Sequence, residues 1–304
     1  MRKNHWLIPI LCSASLFSAS ISLAQDQQAA RTELVLQGEL TQGALLRGQV
    51  EPGSKVWLNG ESLRVTPEGH FVFGTAREAP LRQTLKIESP RGEVETRELD
   101  LQKREYDIQR ISGVANKHVN PDPAQLARVA EENKLTRAAR ERVSELQGFQ
   151  QSFIWPASGR ISGVFGSQRI FNGEPRAPHS GVDVAAPNGA PVVAPADGVV
   201  TLVHPDMFFS GGTLIVDHGL GVSSTFIHLS EILVAPGQDV AQGDLIARVG
   251  ATGRATGPHL HWNMNWFDVR VDPALVAPPL VDGATPPTGQ PKKQVEAEPR
   301  ETAN

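Results

Sequence analysis

Six of the nine histidines in this 304-residue chain lie between His179 and His261, and three of these fall in two short runs whose residue types and spacing could bind a metal. H-S-G-V-D sets His179 four residues before Asp183, and T-G-P-H-L-H-W sets His259 two residues before His261. Residues two apart on a strand point to one face, and residues four apart share a face in either a helix or a strand, so both pairs can converge. Catalytic zinc takes three protein ligands from His and carboxylate side chains and keeps a fourth position open for water. His179, Asp183 and one histidine of the H-x-H pair supply that set, and spacing does not say which one. A bare H-x-H is commonly two strand histidines with no metal; the H-x-x-x-D in the same glycine-rich, β-like stretch is what points to a metal site.

Three segments extend these runs: P-H-S-G-V-D-V-A-A-P (178–187), T-F-I-H-L-S (225–230) and G-A-T-G-R-A-T-G-P-H-L-H-W (250–262). In content and order they resemble the lysostaphin-type, LytM-like zinc endopeptidases that cut peptidoglycan cross-links, and the resemblance covers residues 150–278. It implies one Zn2+ per chain held by His179, Asp183 and His261, with His228 and His259 as catalytic histidines that do not bind the metal. The implied substrates are the cross-link peptides of peptidoglycan. Phe226 stands where the family usually has tyrosine, and Asn263 where many members carry an acidic residue. The implied chemistry is hydrolysis by a zinc-activated water. One histidine takes a proton and the other donates to the developing oxyanion. The resemblance assigns neither role to a particular histidine, and no substrate-binding residue is identified.

Residues 1–24 begin with Arg2 and Lys3, continue through an apolar stretch and end in Ser22-Leu23-Ala24, the pattern of a secretory signal peptide. Pro9 and several serines keep that stretch short of the ~20 apolar residues of a membrane span, so no span is expected in the mature chain. Export to the periplasm or the exterior follows. The only cysteine, Cys12, falls inside the signal, which excludes disulfides and a thiol nucleophile from the mature protein. A net charge of −4 gives no electrostatic footprint for nucleic acid.

The chain reads as mainly β. Residues 30–105 break into short β-like runs such as E-L-V-L-Q, S-K-V-W-L, H-F-V-F and Q-T-L-K-I, separated by turn pairs that include Asn59-Gly60, the strongest type I′ hairpin signal. This predicts a small immunoglobulin-like β-sandwich with Trp57, Phe71 and Phe73 in its core. Between 120 and 148, Leu135, Ala139, Val143 and Leu146 recur at helical spacing, with Pro123 near the start and Gly148 as an end signal. A linker helix packing on one or both domains is expected there. The period returns to β for a mostly antiparallel peptidase domain over 150–278. A Pro- and charge-rich tail, 279–304, is expected to be disordered.

His218 reads as a hydrogen-bonded structural residue, and His70, His118 and His204 as isolated ones. Phe208-Phe209 reads as packing more than as a groove wall. A non-catalytic regulator of other wall hydrolases is the main rival, but such domains usually lose ligands and this chain keeps all of them. V-V-A-P-A-D-G-V-V also resembles a biotinyl or lipoyl carrier hairpin, yet no lysine occurs from Pro191 to Gly250 to be modified. A wall-binding adhesin built on the sandwich is a third reading. The front half has no motif chemistry of its own and is expected to position or gate the peptidase; protein regulators are not legible.

Overall fold

The computed structural model describes residues 34–111, 123–171 and 174–278. The expected signal (1–24) and tail (279–304) lie outside them, as does His118. Among the described residues the front half has seven strands: β1 (Val35–Gln37), β2 (Leu45–Gln49), β3 (Lys55–Leu58), β4 (Glu61–Leu63), β5 (His70–Gly74), β6 (Arg82–Glu88) and β7 (Val94–Asp100). They form two antiparallel sheets, β1-β2-β5 and β4-β3-β6-β7. Leu46, Phe71 and Phe73 of one meet Val56, Leu85 and Ile87 of the other in a closed apolar cluster, which is the expected sandwich. Asn59 (φ 52°) and Gly60 (φ 90°) join β3 to β4 with the two positive φ values a type I′ turn requires. Trp57 is a correction. Its neighbours Val56 and Leu58 point into the core, so alternation turns Trp57 outward, half-buried, with Lys86 Nζ 4.7 Å from its ring centroid.

Beyond the sandwich come β8 (Ile108–Ile111) and the helix α1 (Pro123–Arg140). The helix is shorter than expected. Ala139 is buried, but Leu135 and Val143 are exposed, and Gly148 opens a short 3-10 turn instead of capping a helix. Past Arg140 the backbone bonds to the peptidase instead, where Ser144 O accepts from Leu220 N at 3.2 Å, so tertiary contacts override the helical spacing. The contacts that dock α1 are largely polar. Glu132 accepts from Phe208 N at 2.9 Å, and Arg128 pairs with Asp206.

The rear half contains β9 (Arg160–Gly163), β10 (Gln168–Phe171), β11 (Glu174–Pro175), β12 (Val182–Ala185), β13 (Pro191–Val193), β14 (Gly198–Met207) and β15 (Gly211–Gly219). These are followed by β16 (Val222–Leu229), β17 (Glu231–Ile232), β18 (Asp239–Val240), β19 (Leu245–Arg248), β20 (His259–Trp266) and β21 (Val269–Val271). An eight-stranded antiparallel sheet runs β18-β14-β15-β16-β20-β12-β9, with β21 beside β20, and β13-β19-β17 form a smaller sheet. Strand alternation divides the large sheet. Leu214, Val216, Phe226, Leu260, Trp262 and Met264 pack with Phe149, Phe153 and the small sheet, whereas Ser223, Thr225, His261, Asn263 and Asn265 face the other way. The polar face is where the chemistry lies.

The two halves share structure. Leu45 and Val72 belong to the rear core while Leu46, Phe71 and Phe73 of the same strands belong to the front one, so the β1-β2-β5 sheet is apolar on both faces. Arg104 pairs with the buried Asp272 at 2.8 Å, and β8 runs parallel to β10 from Ile108 beside Gln168 to Ile111 beside Phe171. Among the described residues, no helix is long and apolar enough to cross a membrane.

Candidate active site

Strand register brings Asp183 and His261 together. Asp183 of β12 lies directly opposite His261 of β20, and Ala185 opposite His259, so both histidines look out on the face that bears the carboxylate. His179 stands on the loop before β12 and completes the group. Its Nε2 is 3.1 Å from Asp183 Oδ1 and 3.0 Å from His261 Nδ1, and His261 Nδ1 is 2.7 Å from Asp183 Oδ1. Of the H-x-H pair, His261 therefore joins the cluster; His259 Nε2 stays 3.8 Å from Asp183 Oδ1.

His228 arrives by a different route. Simple alternation along β16 would put it on the core side with Phe226, but His228 has φ of 64° and the β15–β16 register shifts beside it. The resulting bulge turns it outward, its ring centroid 4.8 Å from that of His259 and 6.3 Å from that of His261. All five residues singled out by sequence thus meet in one place. His218 does not: it is buried in the core, with its ring nitrogens 2.8 Å from Asp197 O and 2.9 Å from Ser224 Oγ, as a structural histidine should be. His70 and His204 also stand apart from the cluster.

Each imidazole of the cluster is oriented by a carbonyl-type oxygen. Nδ1 of His179, His228 and His259 donates to Val164 O (3.0 Å), Thr252 O (2.7 Å) and Gly257 O (2.9 Å), and His261 Nε2 donates to Asn263 Oδ1 (2.9 Å). Such partners fix the tautomer and aim the other nitrogen. In neutral rings, His179 Nε2 and His261 Nδ1 then both present lone pairs to one another and to Asp183. These atoms repel unless a cation stands among them, and two imidazoles with one carboxylate suit a metal such as zinc. Burial works against the Asp183 carboxylate, but when the facing nitrogens of His179 and His261 are protonated instead, their hydrogen bonds and charge outweigh it and hold the carboxyl well below the usual range. Burial pushes His261 down, and pushes His228 down to about 4, against the hydrogen bond to Thr252. His228 is therefore neutral at pH 7.

Sequence reasoning missed the supporting residues. Thr252 orients His228 through its carbonyl while its hydroxyl bridges Gly212 N and Leu229 O, both at 2.9 Å. Asn263 fills the place where an acidic residue was noted as missing. Gly163 has no room for a side chain, since a Cβ there would lie 2.3 Å from Asp183 Oδ2. The Phe208-Phe209 pair is half-buried, its rings in edge contact with centroids 4.8 Å apart, and Ser210 O next to it accepts from His228 N at 2.8 Å.

A model of peptidase family M23 matches residues 177–273, the span that contains all five residues. A crystal structure from Pseudomonas aeruginosa assigned to peptidase M23 superposes with a TM-score of 0.61 at 32% identity, covering 78% of this chain and 95% of that one. The chain belongs to peptidase family M23. Among curated relatives, the peptidoglycan DD-endopeptidase ShyA of Vibrio cholerae is 40% identical over 122 residues, 39% of this chain and 28% of ShyA. The DD-carboxypeptidase/endopeptidase Mpg of Neisseria meningitidis is 43% identical over 101 residues, 33% of this chain and 23% of Mpg. The chain therefore spans less than a third of the length of these relatives.

Proposed function

We propose that this protein is an exported, zinc-dependent endopeptidase that hydrolyses the peptide cross-links of bacterial peptidoglycan. The observation that supports this most is the convergence of His179 Nε2, Asp183 Oδ1 and His261 Nδ1 beside two further oriented histidines. In this reading those three atoms hold the metal. A bound zinc ion would supply Lewis acidity and bring the pKa of a coordinated water down to about 7. His228, neutral because it is buried and with Nδ1 committed to Thr252, presents Nε2 as a proton acceptor at neutral pH. His259, with Nδ1 held by Gly257, presents Nε2 to the same space and shares in proton transfer and oxyanion stabilisation.

The relatives named as peptidoglycan endopeptidases support the substrate class, and the signal-like residues 1–24 support action in the periplasm or outside the cell. We assign the sandwich to 30–105 and the peptidase to 150–278. A regulator that only recruits other hydrolases has no use for a complete donor set, which favours the enzyme. Purified peptidoglycan digested with the protein, resolved by mass spectrometry, should yield uncross-linked stem peptides; a chelator should stop the reaction and added zinc restore it. Intact cross-links after incubation with zinc-loaded protein would contradict the proposal.

A further inference from the structure

We infer that Arg77 and Tyr106 of the front half are positioning residues for His179, acting through the turn at Val164–Ser167. The inference rests on the zinc reading above. His179 is the one proposed ligand not borne by a strand, and this turn fixes it with three hydrogen bonds. His179 Nδ1 donates to Val164 O at 3.0 Å, its backbone N–H to Ser167 O at 2.8 Å, and its carbonyl accepts from Gly166 N at 2.9 Å.

The far side of the turn is clamped by the front half. Arg77 Nε donates to Gly166 O at 2.8 Å, 89 residues away in sequence. The Tyr106 ring lies flush on Gly166, whose φ is +80°; a Cβ there would come within 2.1 Å of Tyr106 Cδ1. Tyr106 also meets the buried Phe165 edge to face, with centroids 6.3 Å apart, and Arg77 stacks over the other part of the clamp with its guanidinium carbon 4.3 Å from the Tyr106 ring centroid. The β8–β10 ladder begins immediately beyond, where Gln168 N donates to Asp107 O at 2.9 Å. From sequence the front half is expected to position or gate the peptidase; these contacts assign it positioning.

Metal ligands lose affinity when the groups that orient them are disturbed, typically by about 10- to 100-fold. Zinc affinity is measured on the full chain by competition with a chromophoric chelator, and backbone hydrogen exchange on the metal-free protein. Tyr106→Ala is expected to bind zinc about 10- to 100-fold more weakly. It should also exchange the Gly166 and His179 amides faster, while amides of 260–264 stay as in wild type. Tyr106→Phe, which keeps the ring, should match wild type in both, and Arg77→Ala should move both in the direction of Tyr106→Ala. Thermal melts identify the variants that fold, and Arg77→Ala serves if Tyr106→Ala does not. A folded Tyr106→Ala or Arg77→Ala protein with unchanged zinc affinity and unchanged exchange overturns the inference. Wild type that takes up no zinc overturns the metal reading instead, and the exchange comparison then decides the clamp alone.

Discussion

Asp183 and His261 are held by strand register, whereas His179 is held by a loop, and the two solutions depend on different parts of the molecule. The strand pair needs only β12 and β20 in their observed register, with Asp183 opposite His261 and Asn263 two residues further on to orient the ring. His179 needs the 164–167 turn, which is itself packed against Arg77, Tyr106 and Gly43 of the front half. A site can therefore be two-thirds encoded in one sheet and still rely on a distant domain for its last member. This gives the front half a physical reason to share a core with the peptidase through Leu45 and Val72.

The comparison can be broken most severely on the strand side. Asp183→Ala removes a donor atom and its charge together, and zinc retention and hydrolysis should both disappear; metal analysis that still finds bound zinc would refute the donor assignment. Next in size, His228→Ala and His259→Ala should keep the metal but slow hydrolysis on the order of 100-fold or more, the worth of a positioned acid or base. Turnover near the wild-type rate in either variant would remove that histidine from the mechanism.

Gly163→Ala strikes both sides at once, because the added methyl would lie 2.3 Å from Asp183 Oδ2 and 3.1 Å from His179 Cε1. Zinc affinity should fall by about 10- to 100-fold, where a chelator titration matching wild type would show that the site tolerates displacement. A separate effect concerns the core beneath. Burial pushes His218 down to about 4 from 6.5, so its neutral form is favoured by folding. That contribution is fully present above pH 6.5 and is lost as pH falls from 6.5 to about 4, on the order of 3 kcal/mol. Urea unfolding of metal-free wild type and His218→Gln at pH 7 and pH 4 measures it, and a stability difference between the two pH values that is the same in both proteins would contradict it.

His179, Asp183 and the H-x-H pair were legible as candidates because ligand chemistry constrains residue type and short spacing, His228 and the choice of His261 only through the family resemblance, and the sandwich because turn chemistry marks its hairpins, as at Asn59-Gly60. The rest was hidden for physical reasons. In β2, Leu45 and Leu46 are both buried, one in each core, so the strand shows no alternation. The outward turn of His228 depends on a bulge at a non-glycine residue, which no periodicity announces. The helix ended early because residues past Arg140 bond to the sheet. Asn263 was within reach, since a residue two beyond a strand ligand must share its face. The Val164–Ser167 turn was not, because it acts on His179 largely through backbone groups.

His259 and His261 sit two residues apart on one strand, face the same way and differ in whether their nitrogen reaches Asp183, at 3.8 Å and 2.7 Å. Zinc content of purified wild type, His261→Ala and His259→Ala, measured side by side, tests that distinction directly. The account predicts one zinc per chain in wild type and in His259→Ala, and none in His261→Ala. Equal metal loss in the two variants, or retention in His261→Ala, would contradict it.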